Sequence, residues 1–490
     1  MISEFSIAFF NIAAILFTCL IGCFVLFVCI LYIIDVTQKK QTIRHNYPVI
    51  GRFRYIFEHL GEFFRQYFFA MDREELPFNR ALRNWVYRAS KDVDATLAFG
   101  STRQINLNGE AIFLNAPFPT LDSHSACSTS LRIGNECRFP YDAPSIFNIS
   151  GMSYGALSSV AITALAKGAK KANCWLNTGE GGLSSFHKEA GCDIIFQIGT
   201  AKYGVRDLEG NFSPDKLKDI AALPQVKMFE IKLSQGAKPG KGGMLPAGKI
   251  SKEIAEIRGI PEGEASISPN RHPNIHNNET LLDFIEEVRG LSGKPTGIKT
   301  VMGDPSWIYE LCDAINARGA KSAPDFITLD CAEGGTGAAP QPLMDFVGMP
   351  LRESLPLLNR ILEEKGLRKR VRIIASGKLV APGAAALAIA TGADFITSAR
   401  GFMFSLGCIQ AMQCNKNTCP TGITTHKASL QKGLDPNEKS NRVANYHKQL
   451  IKHLEMISHS CGVHDPRELS HKHVRIVTQH NKSIPMKELT

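Results

Sequence analysis

The chain has 490 residues, 44% of them hydrophobic and 21% charged, with a formal net charge of +10. That length accommodates one large domain with appendages or two to three ordinary ones, so core size is not limiting. The positive excess lies in short clusters (Lys39-Lys40, Lys167 to Lys171, Arg368 to Arg372) without interleaved aromatic residues, which argues against a nucleic-acid partner.

In chain order, the first element is the uncharged apolar run from Phe5 to Ile34. As a helix it would be roughly 45 Å long, more than the ~30 Å hydrocarbon layer, so it is expected to span a membrane once. Glu4 precedes the run while Lys39, Lys40 and Arg44 follow it, unlike a secretory signal. The basic flank predicts a cytoplasmic catalytic part and an outside N-terminus. Thirteen cysteines without a regular framework fit a reducing compartment rather than structural disulfides.

Residues 35–140 are expected to form a helical juxtamembrane lead-in, with amphipathic stretches RFRYIFEHLGEFFRQYFF and FNRALRNWVYRASK on either side of MDREELP. Their mixed aromatic and Arg content suits either the membrane surface or packing on the next domain.

From residue 146 the pattern changes. A short β-rich apolar run, a Gly-rich loop and a helical stretch recur eight times. The runs are 146–150, 174–178, 193–198, 228–233, 297–301, 326–330, 372–376 and 395–399. Eight such units predict an α/β fold, a (β/α)8 TIM barrel, with an open doubly wound sheet as the alternative. The loops GMSYGA, GEGG, SQGAKPGKGG, AEGGTGA, SGK and ARG each follow a run directly, and barrel active sites assemble at that end of the strands. After runs seven and eight, Ser376-Gly377-Lys378 and Ala399-Arg400-Gly401 offer glycine amides with a cation, which suits a flavin mononucleotide phosphate.

Next come Cys408, Cys414 and Cys419, separated by five and four residues in a turn-rich segment. Three thiolates can hold three corners of an iron-sulfur cluster, and the absent fourth favours three irons. A Cys3His zinc site completed by His426 and ordinary buried thiols are the alternatives. Residues 428–490 read as a polar helical tail. Its HSCGVHDP stretch suits a solvated helix end better than a metal site.

Taken together, GMSYGALS (151–158), NTGEGG (177–182), KLSQGAKPGKGGMLP (232–246), ISPNRHPNIH (267–276), GGTGAAP (334–340) and the cysteine triad closely resemble the FMN-binding synthase domain of glutamate synthases over 141–427. The chain looks like a membrane-anchored stand-alone form of it. The resemblance implies FMN and a 3Fe-4S cluster on Cys408, Cys414 and Cys419. It places Gly151, Met152 and Ser153 beside the flavin ring, with Thr178, Gln235 and Lys299 as polar partners and Gly334, Gly335, Ser376, Gly377, Arg400 and Gly401 also contacting the cofactor. An ion pair of Lys299 with Asp330 or Glu333 is the plainer alternative for that lysine. Glu180, Lys232, Lys238 and Arg258 would handle a dicarboxylate and ammonia, implying an oxidoreductase of the EC 1.4 class.

Two departures stand out. Met244 replaces the usual Gln of GGQLPG, removing an amide that would meet substrate, and SGK replaces the usual DGG after the seventh run. Neither a glutamine amidotransferase domain nor a GxGxxG between strand and helix is expected here. Electrons are therefore expected from a separate donor, a ferredoxin or a flavoprotein subunit. A different imine, 2-oxo acid or amino acid substrate, or a non-catalytic redox carrier, are the competing expectations.

Overall fold

The computed structural model describes residues 2–124, 128–479 and 482–488. The chain divides into two compact units, Met1–Ala81 and Leu82–Thr490.

In the first unit, α1 (Ile2–Thr37) is long and apolar enough to cross a membrane, and its described side chains are almost all exposed. A second amphipathic helix, α2 (Gly51–Phe64), follows after a short turn of helix. Asp35 organises that turn. Its fully buried carboxylate accepts from Arg44 Nη2 at 2.6 Å, Arg52 Nε at 2.7 Å and the Val49 amide at 3.0 Å. A carboxylate inside an apolar helix end is tolerated because each of its oxygens is met by a charged donor.

The second unit is the expected barrel. Its strands are β1 (Phe147–Ile149), β2 (Leu176–Asn177), β3 (Ile194–Ile198), β4 (Val226–Lys232), β5 (Thr296–Val301), β6 (Phe326–Asp330), β7 (Arg372–Ser376) and β8 (Phe395–Ser398). They pair in sequence order, all parallel, and β8 closes on β1. All eight runs are strands, and closure rules out the open sheet. Strands buried on both faces need mainly apolar sequence, which IIFQI and FITLD provide, their polar Gln197, Thr328 and Asp330 being hydrogen-bonded inside the barrel.

Bulky residues close the end where the strands begin. Trp175, Phe326 and Phe395 cluster there with Ile133, Tyr141 and Ala143, supplied by the antiparallel pair Leu131–Ile133 and Tyr141–Ala143. With that end filled, polar chemistry is confined to the opposite mouth.

Two boundaries differ from the sequence expectation. Residues 82–140 go with the barrel unit rather than with a lead-in, because Ala111–Phe113 pairs with Val474–Val477. Residues 428–490, expected as a polar helical tail, do carry a long helix, and they belong to the barrel unit. Helix α3 (Ser159–Ala172), which follows β1, packs against α4 (Pro436–Ser460), and Val474–Val477 also pairs with Ser483–Pro485. The contact of α3 with α4 is close, since a Cβ at Gly168 would lie 2.3 Å from Val443.

Candidate active site at the barrel mouth

The 151–158 loop after β1 is the hub of the mouth. Four of its carbonyls are each gripped by a side chain from another segment. His187 Nε2 meets Met152 O at 2.8 Å, Arg258 Nη2 meets Tyr154 O at 3.2 Å, His426 Nε2 meets Gly155 O at 2.8 Å and Lys249 Nζ meets Ala156 O at 3.1 Å. A carbonyl only accepts, so both imidazoles carry their hydrogen on Nε2. Burial pushes His187 down to about 4 and lowers His426 as well, which keeps both neutral. The Nε2 of His426 is thus committed to Gly155, and among the described residues no three His, Cys, Asp or Glu side chains gather as a single-metal site around it.

Behind this loop stands a buried carboxylate that motif reading missed. Glu230 accepts from Asn177 Nδ2 at 2.8 Å, Gln197 Nε2 at 2.6 Å and Thr328 Oγ1 at 2.5 Å. Its signal was available, because Glu230 lies two residues before Lys232 on β4 and so shares its inward face. Gly151 sits directly on this layer, with a Cβ there falling 3.6 Å from Gln197 Nε2. Thr178 is also internal. Its hydroxyl donates to Gly179 O at 2.9 Å and accepts from the Gln197 amide at 3.1 Å.

The charged centre lies between the loops after β2 and β4. Lys232, at the end of β4, pairs with Glu180 at 2.9 Å and donates to Gln235 Oε1 at 2.5 Å. Gln235 in turn donates to Gly335 O at 3.3 Å. Burial alone would raise the Glu180 carboxyl, but the charges of Lys232, Lys238 and Arg258 outweigh it and hold it at about 2. Three cations against one carboxylate leave a positive surplus suited to a dianion.

These cations differ in commitment. Arg258 is 5% exposed, donates to Ser266 Oγ at 3.1 Å and Tyr154 O, and stacks on Tyr203 at 5.1 Å. Only its buried Nε has no partner, so the bidentate fork expected for substrate is already in use. Lys238 is the opposite case. Among the described residues its ammonium has no hydrogen-bond or ion-pair partner, and burial lowers it to about 8 despite the nearby Glu180.

Lys299, on β5, pairs with Asp330 at 3.6 Å, the plainer of the two expectations for it. Burial would lower its pKa, but Asp330 and Glu230 raise it overall, so the side chain stays cationic. Asp330 Oδ2 also accepts the Gly236 amide at 3.0 Å. The backbones of this loop nearly touch: a Cβ on Gly236 would lie 1.8 Å from Cys331 O, and one on Gly334 3.0 Å from Gly236 Cα.

At the ends of β7 and β8, Ser376, Gly377 and Lys378 face Arg400 and Gly401. Lys378 adopts φ 55°, a left-handed conformation uncommon for a residue with a Cβ. Burial first, then the charge of Arg400, lowers the Lys378 ammonium. Arg400 is pushed down to about 10 by burial, donates to Glu333 O and lies against Gly335. Two mutually repelling cations beside glycine amides form a cradle that fits a phosphate dianion.

The cysteine segment lies against the same hub. Ser158 donates to Ile423 O at 2.8 Å from its amide and to Gly422 O at 2.7 Å from its hydroxyl. Burial pushes Cys408 up to about 12, with Cys414 and Cys419 adding to the shift. Cys419 moves the other way, because the Thr421 hydroxyl, 3.3 Å from its sulfur, and the backbone amides of Thr421 and Thr424 outweigh its burial. The Thr424 hydroxyl is buried with no partner in hydrogen-bonding geometry. Among the described residues no three His, Cys, Asp or Glu side chains are close enough to hold a single metal ion. Cys408, Cys414 and Cys419 are near enough for each to bear on another's thiol, and three thiols are by their chemistry the donor set an iron-sulfur cluster takes.

A model described as the conserved region in glutamate synthase matches residues 111–464. A glutamate synthase large subunit-like protein, YerD, of Bacillus subtilis is 39% identical over 91% of each chain. An archaeal glutamate synthase [NADPH] of Methanocaldococcus jannaschii is 34% identical over 66% of this chain, which spans 60% of that relative's length. Among solved structures, the flavin-binding domain of baker's yeast flavocytochrome b2 aligns at TM-score 0.47 and 14% identity, covering 88% of each chain.

Proposed function

Because this chain belongs to the glutamate synthase family, we propose that it is an FMN and 3Fe-4S oxidoreductase that makes L-glutamate from 2-oxoglutarate and ammonia through 2-iminoglutarate. The observation that carries the reading is the buried Glu180 ringed by Lys232, Lys238 and Arg258, a site for a dianion that also carries nitrogen. Lys238, uncommitted, takes one substrate carboxylate as a point charge, and Lys232 shares itself between the other carboxylate and Glu180. Glu180 accepts from the substrate nitrogen and orients it. Arg258 acts by holding Tyr154 and Ser266 in place rather than by forking a carboxylate.

FMN, when bound, would supply the two-electron reduction. Gly151, Met152 and Ser153 would face its ring, Lys299 and Gln235 its polar edge, and Gly377, Lys378, Arg400 and Gly401 its phosphate, with Gly334 and Gly335 lining the approach. Lys299 is a fixed cation suited to negative charge on a reduced ring. Cys408, Cys414 and Cys419 would hold the cluster. Electrons come from a separate ferredoxin or flavoprotein, ammonia from solution or a partner subunit, and α1 anchors a cytoplasmic barrel by a single span.

A second reading, a different imine or 2-oxo acid, is favoured by Met244. It is 45% exposed beside Gly243, whose own Cβ would fall 2.5 Å from Glu180 Oε1. A thioether there offers substrate no amide.

Anaerobic protein, reduced with dithionite and given 2-oxoglutarate and ammonium, is expected to reoxidise its flavin and yield glutamate. Flavin that stays reduced, with no glutamate formed, rejects this substrate. Profiling M244Q against the parent then separates the two readings.

A further inference from the structure

Lys249 is an ammonium enclosed by protein, 3% exposed, in the turn after Met244-Leu245. Among the described residues no carboxylate pairs with it, although burying an unpaired charge is expensive. Its Nζ donates to Cys414 O at 3.0 Å and Ala156 O at 3.1 Å, which uses two of its three hydrogens. Cys414, whose carbonyl it holds, is one of the three thiols, and the charge of Cys414 and Cys419 bears on the ammonium. The turn is fixed to the cysteine segment again by Asn417, which donates to Gly248 O at 3.1 Å. A buried cation held against the backbone of a cluster-ligand segment, with no carboxylate paired to it among the described residues, is explained if that segment carries a negatively charged group.

We propose that Lys249 is the positioning residue of the electron port: its fixed charge stabilises the one-electron-reduced state of the cluster held by Cys408, Cys414 and Cys419, while its bond to Ala156 keeps that segment on the 151–158 loop. This rests on the cluster reading given above. The reduction adds one electron to the cluster and breaks no bond. A nearby positive charge favours the more negative form, so the potential is higher with the ammonium than without it. Lys249 touches neither substrate nor the proposed flavin residues directly, and so acts through the cysteine segment.

The test is a dithionite titration of the full-length holoprotein, followed by electron paramagnetic resonance, on the parent, K249M, K249Q and K249R. The exposed Lys252 of the same segment serves as control in K252M. K249M and K249Q are expected to favour the oxidised cluster at least tenfold over the parent, about 59 mV for one electron. K249R and K252M should stay near the parent value. Loss of iron from K249M and K249Q with retention in K249R also supports the charge role. An unchanged potential in iron-loaded K249M, or loss of iron from K249R as well, overturns it. A parent protein with no cluster signal would instead reject the cofactor reading itself, a separate result.

Discussion

Lys232 and Glu180 form a 2.9 Å ion pair inside the barrel mouth, with both side chains largely withdrawn from solvent. The pair sets the protonation of the whole site, because Glu180 stays ionised down to about pH 2 instead of its ordinary 4.5. A folded-state value below the unfolded one stabilises the fold fully above about pH 4.5 and loses that contribution as pH falls toward 2. E180Q is therefore expected to cost about 3 kcal/mol at pH 7. Urea melts of both proteins should converge as pH drops from 4.5.

Lys238 is the cation free to meet substrate. K238M is expected to raise KM for the dicarboxylate by about 10- to 100-fold, equal to about 1.4 to 2.7 kcal/mol, with flavin still bound. The ammonium is charged below about pH 8, so affinity for the anion should fall as pH rises through that value. Steady-state kinetics from pH 6.5 to 9.5 would show a parent dependence that K238M lacks.

Arg400 and Lys378 define the phosphate cradle. R400Q is expected to weaken FMN binding by about 10- to 100-fold, as loss of a charge-assisted contact of ~1.5–3 kcal/mol requires. Fluorescence of released flavin measures it. Riboflavin, which has no phosphate, should bind parent and R400Q about equally.

His187 holds the Met152 carbonyl and is itself fixed by Ser184, whose hydroxyl lies 2.7 Å from Nδ1. H187L leaves the Met152 carbonyl buried without its partner, at a cost of about 1–3 kcal/mol, while the Ser184 hydroxyl keeps the backbone N–H of residue 187. Denaturant midpoints and flavin release should both move, because Met152 belongs to the proposed flavin shelf.

Gly236 tolerates no side chain, since a Cβ would overlap Cys331 O. G236A is expected to cost more than the ~1–3 kcal/mol of ordinary overpacking, because the clash is with backbone rather than a movable side chain. Thermal unfolding compares it with G248A, where a Cβ meets open space.

Much of this architecture was legible in the residues. Eight mainly apolar runs became eight strands because a parallel strand buried on both faces must be largely apolar, a local requirement that IIFQI or FITLD displays by itself. The glycine loops were legible for a similar reason: SQGAKPGKGG and AEGGTGA lack side chains where their backbones pass within contact of each other. Glu180 and the lysines were readable as charges in those loops. Their allegiance was not, because nothing local distinguishes an arginine spent on Tyr154 from a lysine left open.

The sequence alone determined a (β/α)8 barrel with an apolar leading helix and the kinds of side chain at its mouth, since periodicity and glycine placement are properties of neighbouring residues. Only the tertiary structure decided who holds whom: Glu230 under Gly151, His187 on Met152, His426 on Gly155, and Lys249 between Ala156 and Cys414. Those partners lie tens to hundreds of residues apart. Each pairing is dictated by the need to satisfy a buried polar group, a demand that exists only once the barrel has closed and removed the water.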